Sequence, residues 1–342
     1  MRKKLLPLLF FAVCCVHDAR AQDIHFSQIG ETPLLRNPAL AGLFSGDVRV
    51  QSIYRTQWNS FTDAYQTVSS NLEFKIPVGQ GNDFATLGAQ VLYDRAGTAA
   101  FTSTHVLPVL NYHKSLSTER SMYLSLAAMA GVVQRSIDVS KITTNSQYNG
   151  GQYVPGSFNG ETALNGSYRY FDATVGMSFN AQLGDRVDDN MYVGAAYHHL
   201  NRAGSTSFFS DPRLEAIPKW VISGGVRTQI MEGSYLTIEA DHNMQSTYRS
   251  TILGVIWTKK LDDIEDPIYL IHMGGYYRIN DAVIPTVKLE AKPIAISVSY
   301  DANISTLRQV TTGRGGFEVS LTYQRYRAGT GSSIEATKCP KF

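Results

Sequence analysis

The chain has 342 residues, with 31 Lys and Arg against 29 Asp and Glu, a formal net charge of +2 and 43% hydrophobic residues. That balance excludes a nucleic-acid binder, which needs a concentrated basic patch, because past the leader no basic cluster exceeds Lys259-Lys260. Beyond the leader no apolar run reaches the roughly 18 residues of a spanning helix, so a closed β-barrel is the only membrane-spanning form open to it.

In chain order, Met1-Arg2-Lys3-Lys4 supplies a positive start, Leu5 to Val16 a short apolar stretch, and Ala19-Arg20-Ala21 a small-residue cleavage site. Residues 1–21 are therefore predicted to be a signal peptide cut before Gln22. Cys14 and Cys15 admit lipoprotein processing as an alternative, but Phe11-Ala12-Val13 lacks the small residue expected before a lipidated cysteine. After cleavage Cys339 alone remains of the 3 cysteines, so no intrachain disulfide forms.

Residues 22–46 are expected to form an N-terminal periplasmic lead. Within it Asn37-Pro38 favours a fixed turn, since the ring sets its own φ and biases the residue before it, and Gly42 permits a positive φ. Turn chemistry leaves two roles open, a structural cap or barrel plug and a periplasmic docking element.

From residue 47 onward the period is two. Phe317, Val319, Leu321 and Tyr323 alternate with Glu318, Ser320, Thr322 and Gln324; Ile294, Ile296, Val298 and Tyr300 alternate with Ala295, Ser297, Ser299 and Asp301. Leu236, Ile238 and Ala240 alternate with Thr237, Glu239 and Asp241, and Val287, Leu289 and Ala291 with Thr286, Lys288 and Glu290. A soluble β-sandwich, the competing all-β form, would bury those charges at a cost of several kcal/mol each, whereas a wide barrel hydrates or pairs them. The 19 Tyr suit the interfacial girdles of a barrel. Strands are expected over 47–57, 66–76, 84–95, 102–115, 121–136, 169–184, 190–201, 218–230, 234–245, 247–259, 267–280, 283–291, 293–302 and 315–327. The fold class is thus all-β, a transmembrane antiparallel up-and-down barrel of about 14 strands over 47–327, with a periplasmic C-terminal tail over 328–342. With both termini periplasmic, the long gaps 137–168, 202–217 and 303–314 all fall on the external side.

No Walker loop, dinucleotide fingerprint, HExxH helix or paired-cysteine zinc motif is present, and no cofactor or metal is expected. Thr312-Gly313-Arg314-Gly315-Gly316 has no helix after it and reads as a turn. His198 and His199, adjacent on a strand, point to opposite faces and do not chelate one ion. Nothing pairs His242 or His272 with a serine, so catalysis is not expected. The acidic turn 259–266 lacks the Gly and spaced Glu of a calcium loop. The lumen charges Arg49, Arg55, Arg227, Glu239, Asp241, Lys288, Glu290 and Glu318 fit either an ion-filtering channel or a network of ion pairs that plugs the barrel.

Gln22-Asp23-Ile24-His25-Phe26-Ser27-Gln28, Asn37-Pro38-Ala39-Leu40-Ala41-Gly42, Tyr54-Arg55-Thr56-Gln57-Trp58 and the closing Cys339-Pro340-Lys341-Phe342 together resemble the PorP/SprF family of the Bacteroidetes type IX secretion system. The resemblance implies an outer-membrane protein of the secretion and gliding machinery. Its expected partners are outer-membrane lipids and either a secreted adhesin with a C-terminal sorting domain or a periplasmic peptidoglycan-associated lipoprotein. Asn37, Pro38, Ala39, Gly42, Arg55, Gln57 and Trp58 match the family motif. The chain departs from it at Asp63-Ala64-Tyr65-Gln66-Thr67 and at Ile29-Gly30, which leaves the partner open. A passive porin or transporter with a charged lumen is the alternative.

Overall fold

The alternation of the sequence becomes an inside-out wall. Along β1 (Val48–Gln57), Arg49, Gln51, Ile53 and Arg55 are buried while Val50 and Tyr54 are exposed. Elsewhere Glu73, Asn111 and Glu318 are 0% exposed, and Leu126, Phe171 and Leu289 are 56% or more exposed. Polar groups inside and apolar groups outside are what lipid selects and what water rejects.

The computed structural model describes residues 23–57, 65–79, 81–142, 147–149, 151–154, 166–186, 188–204, 206, 208, 214–263, 267–305 and 315–325. Among them, fourteen long antiparallel strands form a closed barrel. After β1 come β2 (Tyr65–Pro77), β3 (Phe84–Ala96), β4 (Phe101–Ser115), β5 (Met122–Ser136), β6 (Ser167–Gln182) and β7 (Asn190–His198). These are followed by β8 (Lys219–Met231), β9 (Ser234–Gln245), β10 (Tyr248–Lys260), β11 (Tyr269–Arg278), β12 (Ala282–Ala291), β13 (Ile294–Tyr300) and β14 (Gly316–Arg325). Each strand pairs with the next, and β1 pairs with β14 from Val48↔Arg325 to Gln57↔Gly316, which leaves no free edge. A two-residue piece, Ala302–Asn303, pairs back onto β12.

Strand ends differ from the sequence expectation by a few residues where the backbone turns left-handed. His199 (φ 57), Ser246 (φ 54) and Asn280 (φ 60) each stop a ladder, so β7 ends at His198 rather than at 201. Short turns such as Glu232-Gly233 and Lys292-Pro293 gather at one rim, where both ends of the barrel domain also lie. The strand ends that flank the long connections, Ser136 and Ser167, His198 and Lys219, and Tyr300 and Gly316, lie at the opposite rim, the external one in barrels of this kind.

Of the two roles the sequence leaves open for the 22–46 segment, the packing is that of a plug inside the barrel and not of a lead below it. The segment's described part, residues 23–46, is threaded through the lumen as a 3-10 turn (Ile29–Glu31), a single helical turn (Pro33–Arg36) and a second 3-10 turn (Pro38–Leu40). Three apolar contacts seat it: Ile29 against Ile252, Tyr276 and Ile284; Leu34 and Ala41 against Leu107, Val109 and Met129; Leu40 and Leu43 against Tyr192. The segment carries apolar and charged residues that a hydrated tether has no use for, and the lumen supplies partners for both. The expected signal peptide (1–21), Trp58 and the expected tail (328–342, with Cys339) lie outside the described residues.

The outward face fixes a direct test. Leu110, near the middle of β4, is 53% exposed toward lipid. Leu110→Arg is expected to destabilise the barrel by about 2 kcal/mol or more, measured by denaturant unfolding in lipid vesicles, whereas Leu110→Ile leaves it near wild type.

Candidate functional site

The site is the lumen itself, where the threaded segment meets the wall at successive depths. At the short-turn end the Arg49 guanidinium donates to both carboxylate oxygens of Glu73 at 2.8 and 3.0 Å and lies 4.5 Å from the centre of the Phe44 ring. Glu73 also accepts the Gly42 amide at 2.8 Å, and Lys75 donates to the Phe44 carbonyl. Gly42 sits at φ +85, and a Cβ there would lie 2.1 Å from Thr86 Oγ1, so both the conformation and the space require glycine.

One turn deeper, Asn37 caps the second 3-10 turn by accepting the Ala39 amide at 2.8 Å and donates to the Met177 carbonyl at 3.0 Å. Asn111 donates to the carbonyls of Ala39 and Ala41 at 2.9 and 2.8 Å, and Ser178 donates to Ala39 at 2.9 Å. The wall admits this turn only because it is thinned there: a Cβ on Gly176 would lie 2.0 Å from Asn37 Oδ1.

Mid-lumen, Arg36 makes a two-pronged contact with Asp241 at 2.6 and 2.7 Å, donates to Tyr192 at 2.5 Å and to the Ile29 carbonyl at 3.0 Å, and lies 3.5 Å from Glu239. Glu239 also accepts from Tyr276 at 3.0 Å. Glu31 receives Lys288 at 2.6 Å and Gln51 at 2.8 Å. Toward the external rim, Glu318 accepts the amides of Ser27 and Gln28 at 2.8 and 3.0 Å. Arg55 donates to the His25 carbonyl at 2.6 Å and to Asp301 at 3.2 Å, and Arg278 donates to Asp301 at 3.0 Å. Removing one partner of a buried pair such as Arg36 and Asp241 costs roughly 3–5 kcal/mol, because it leaves the other charge uncompensated.

Of the charges singled out by sequence, Arg49, Arg55, Glu239, Asp241, Lys288 and Glu318 thus meet the threaded segment or its ion-pair partners. Glu290 lies 3.5 Å from His272, and the Arg227 guanidinium lies 3.9 Å over the Tyr235 ring. Among the motif residues, Asn37, Pro38, Ala39 and Gly42 are inside the lumen and Arg55 faces it, while Gln57 ends β1. Sequence reasoning missed Glu31, Arg36, Glu73 and Arg278, and it placed Asp301 in a polar row without counting it among the lumen charges. Glu73 carried a signal, since it continues the polar row Thr67, Ser69, Asn71 between Val68, Leu72 and Phe74. Arg36 and Glu31 carried a weaker one, as charges in a short apolar segment without partners of their own.

Residue 199 corrects the alternation argument. His198 faces the lumen, with Nε2 3.2 Å from the Arg36 carbonyl; the left-handed turn at His199 brings the second imidazole back inward instead of to the opposite face. His199 lies 2.9 Å from both Asp172 and Asp23, and Lys219 lies 3.1 Å from Asp23. Beside the threaded segment a cavity of about 1000 Å3 remains, reaching the short-turn rim at Asp188, Pro267 and Pro293.

Burial opposes the charge on His199, but the carboxylates of Asp23 and Asp172 outweigh it and raise its pKa to about 9; Lys219 and His199 likewise hold Asp23 well below the usual carboxylate range. With the folded value above the ordinary 6.5, His199's contribution is complete below about pH 6.5 and is lost as pH rises through about 9. Limited proteolysis of the segment near Asp23 is expected to accelerate between pH 7 and 10 in wild type, and His199→Gln to be fast across that range.

Comparison with known proteins follows this geometry. No curated protein matches the sequence. Among solved structures the barrel is similar to the toluene transporter TbuX of Ralstonia pickettii, at a TM-score of 0.50 and 10% identity, covering 89% of this chain and 96% of that one. It is also similar to a mutant of the TodX monoaromatic hydrocarbon channel, at 0.53 and 10%, covering 87% and 94%. At such identity the likeness is one of fold, that of an outer-membrane barrel. The model of the type IX secretion system membrane protein family PorP/SprF matches residues 19–323, and the chain belongs to that family.

Proposed function

We propose that this barrel is a surface anchor of the secretion and gliding machinery, holding a secreted protein with a C-terminal sorting domain at its external mouth. One observation carries the reading: the 23–46 segment is bonded to the wall from the external rim, at Asp23, to the short-turn rim, at Phe44. A lumen occupied along its depth favours binding at the mouths over passage between them. The external connections expected over 137–168, 202–217 and 303–314 would receive the cargo, and the short-turn rim would face a periplasmic lipoprotein. Family membership supports a role in secretion.

A second reading, a passive transporter with a charged lumen, is favoured by the cavity of about 1000 Å3 beside the segment. Planar-bilayer recording separates the two. The wild-type barrel is expected to be silent, and Arg36→Ala, which strands Asp241, to open intermittently; steady wild-type conductance would favour transport. Deleting the gene is expected to remove one large protein from the cell surface, read by surface proteomics, and an unchanged surface would contradict anchoring.

A further inference from the structure

Most charges of the lumen meet an opposite charge; two at the external mouth do not. Thr67, Asp94, Ser103, Arg135 and Tyr168 stand in one register row across β2 to β6, each directly opposite the next. Arg135 lies on the inward face of β5, in step with the buried Met129 and Val133. Its guanidinium is 5.9 Å from the centre of the Tyr170 ring and hydrogen-bonds the Tyr168 hydroxyl, but its Nε is buried without a hydrogen-bond partner, and it forms no ion pair with a described residue. Asp94 accepts the Thr67 hydroxyl at 2.6 Å; Arg55 and Arg135 act on it only at a distance, and no cation among the described residues pairs with it directly. Ser103 stands between them, so at the usual strand spacing the backbones of Asp94 and Arg135 are about 10 Å apart.

Aromatic surface flanks the row. Tyr168 and Tyr170 stack at 6.1 Å, and Phe208, from the 199–218 connection, meets Tyr168 edge-on at 4.8 Å. A largely buried guanidinium beside aromatic rings and without a carboxylate is costly to hold in that state, and its planar fork matches a carboxylate two-pronged. Elsewhere in the lumen Arg36 and Arg49 show the satisfied alternative, each gripping a carboxylate in that manner.

We infer that Arg135 is the specificity residue of a receptor site for a carboxylate-bearing polypeptide segment entering the external mouth. Arg135 takes the carboxylate, the Tyr168, Tyr170 and Phe208 surface takes a neighbouring apolar or aromatic side chain, and Asp94 takes a donor group or cation about 10 Å along the row. The site rests on the anchoring reading and names the chemistry by which the anchored protein is recognised. A polypeptide fits because the row offers one cation, one anion and an aromatic floor, all fixed by the sheet and within reach of a single extended segment.

The test compares cells carrying the full chain with Arg135→Gln, wild-type cells and deletion cells, and measures the surface protein that deletion removes. Arg135→Gln is expected to lower its retention about tenfold, with the amount of folded barrel, read from heat-modifiable gel migration, unchanged. If deletion removes the protein and a folded Arg135→Gln barrel retains it in full, this site is overturned and anchoring stands. If deletion removes nothing, anchoring fails and the site fails with it. Should Arg135→Gln not fold, Arg135→Lys decides, since it keeps the charge and loses the fork: about threefold lower retention supports the site and full retention overturns it.

Discussion

Charge in the interior of a membrane barrel has to be hydrated or paired, and the pairing of Arg36 with Asp241 is where this constraint is met most fully. Nearly every donor of the guanidinium is used at one point, by a carboxylate, a phenol and a backbone carbonyl. The wall strands alone would leave Asp241 and Glu239 facing one another on β9; the threaded segment brings the cation. The same exchange recurs with the sign reversed at Glu31, where the segment supplies the anion and Lys288 the cation. Segment and wall are thus complementary halves of one electrostatic unit, and neither is well satisfied without the other.

This complementarity orients the segment as well as holding it. Asp23 is bound at the external rim and the Asp47 amide donates to the Arg325 carbonyl at the other, so the chain runs from mouth to base before entering β1. The wall is shaped for that path, with Gly176 and Gly194 giving way to Asn37 and with Asn111 and Ser178 placed to take the turn's carbonyls. A polar turn clasped by polar wall groups at mid-barrel fills part of the lumen and leaves a cavity of about 1000 Å3 beside it.

The wall was legible in the sequence because a period of two over ten residues has only one reading when charges fill the even positions, as Glu239 and Asp241 do on β9. Strand number and rim assignment followed from the same periodicity. Position along the strand was less legible: the left-handed His199 ends its ladder at His198 without a glycine to announce it. The segment's location was not legible. Asn37-Pro38 and Gly42 signal a turn whether it lies in periplasm or lumen, and the decisive partners, Glu73, Asn111 and Asp301, are remote in sequence, so no local pattern links them to it. Arg135 escaped for a related reason, since an arginine's lack of a counter-ion is visible only once its neighbours across the sheet are known.

The account stands on the segment being an integral part of the folded barrel. Amide hydrogen exchange of the purified chain in lipid discs addresses this directly. The amides of Ser27, Gln28 and Gly42, which donate to Glu318 and Glu73, are predicted to exchange as slowly as those of the central strands. Exchange of residues 27–44 at the rate of an exposed loop would contradict a lumen neutralised and partly filled by its own N-terminal segment.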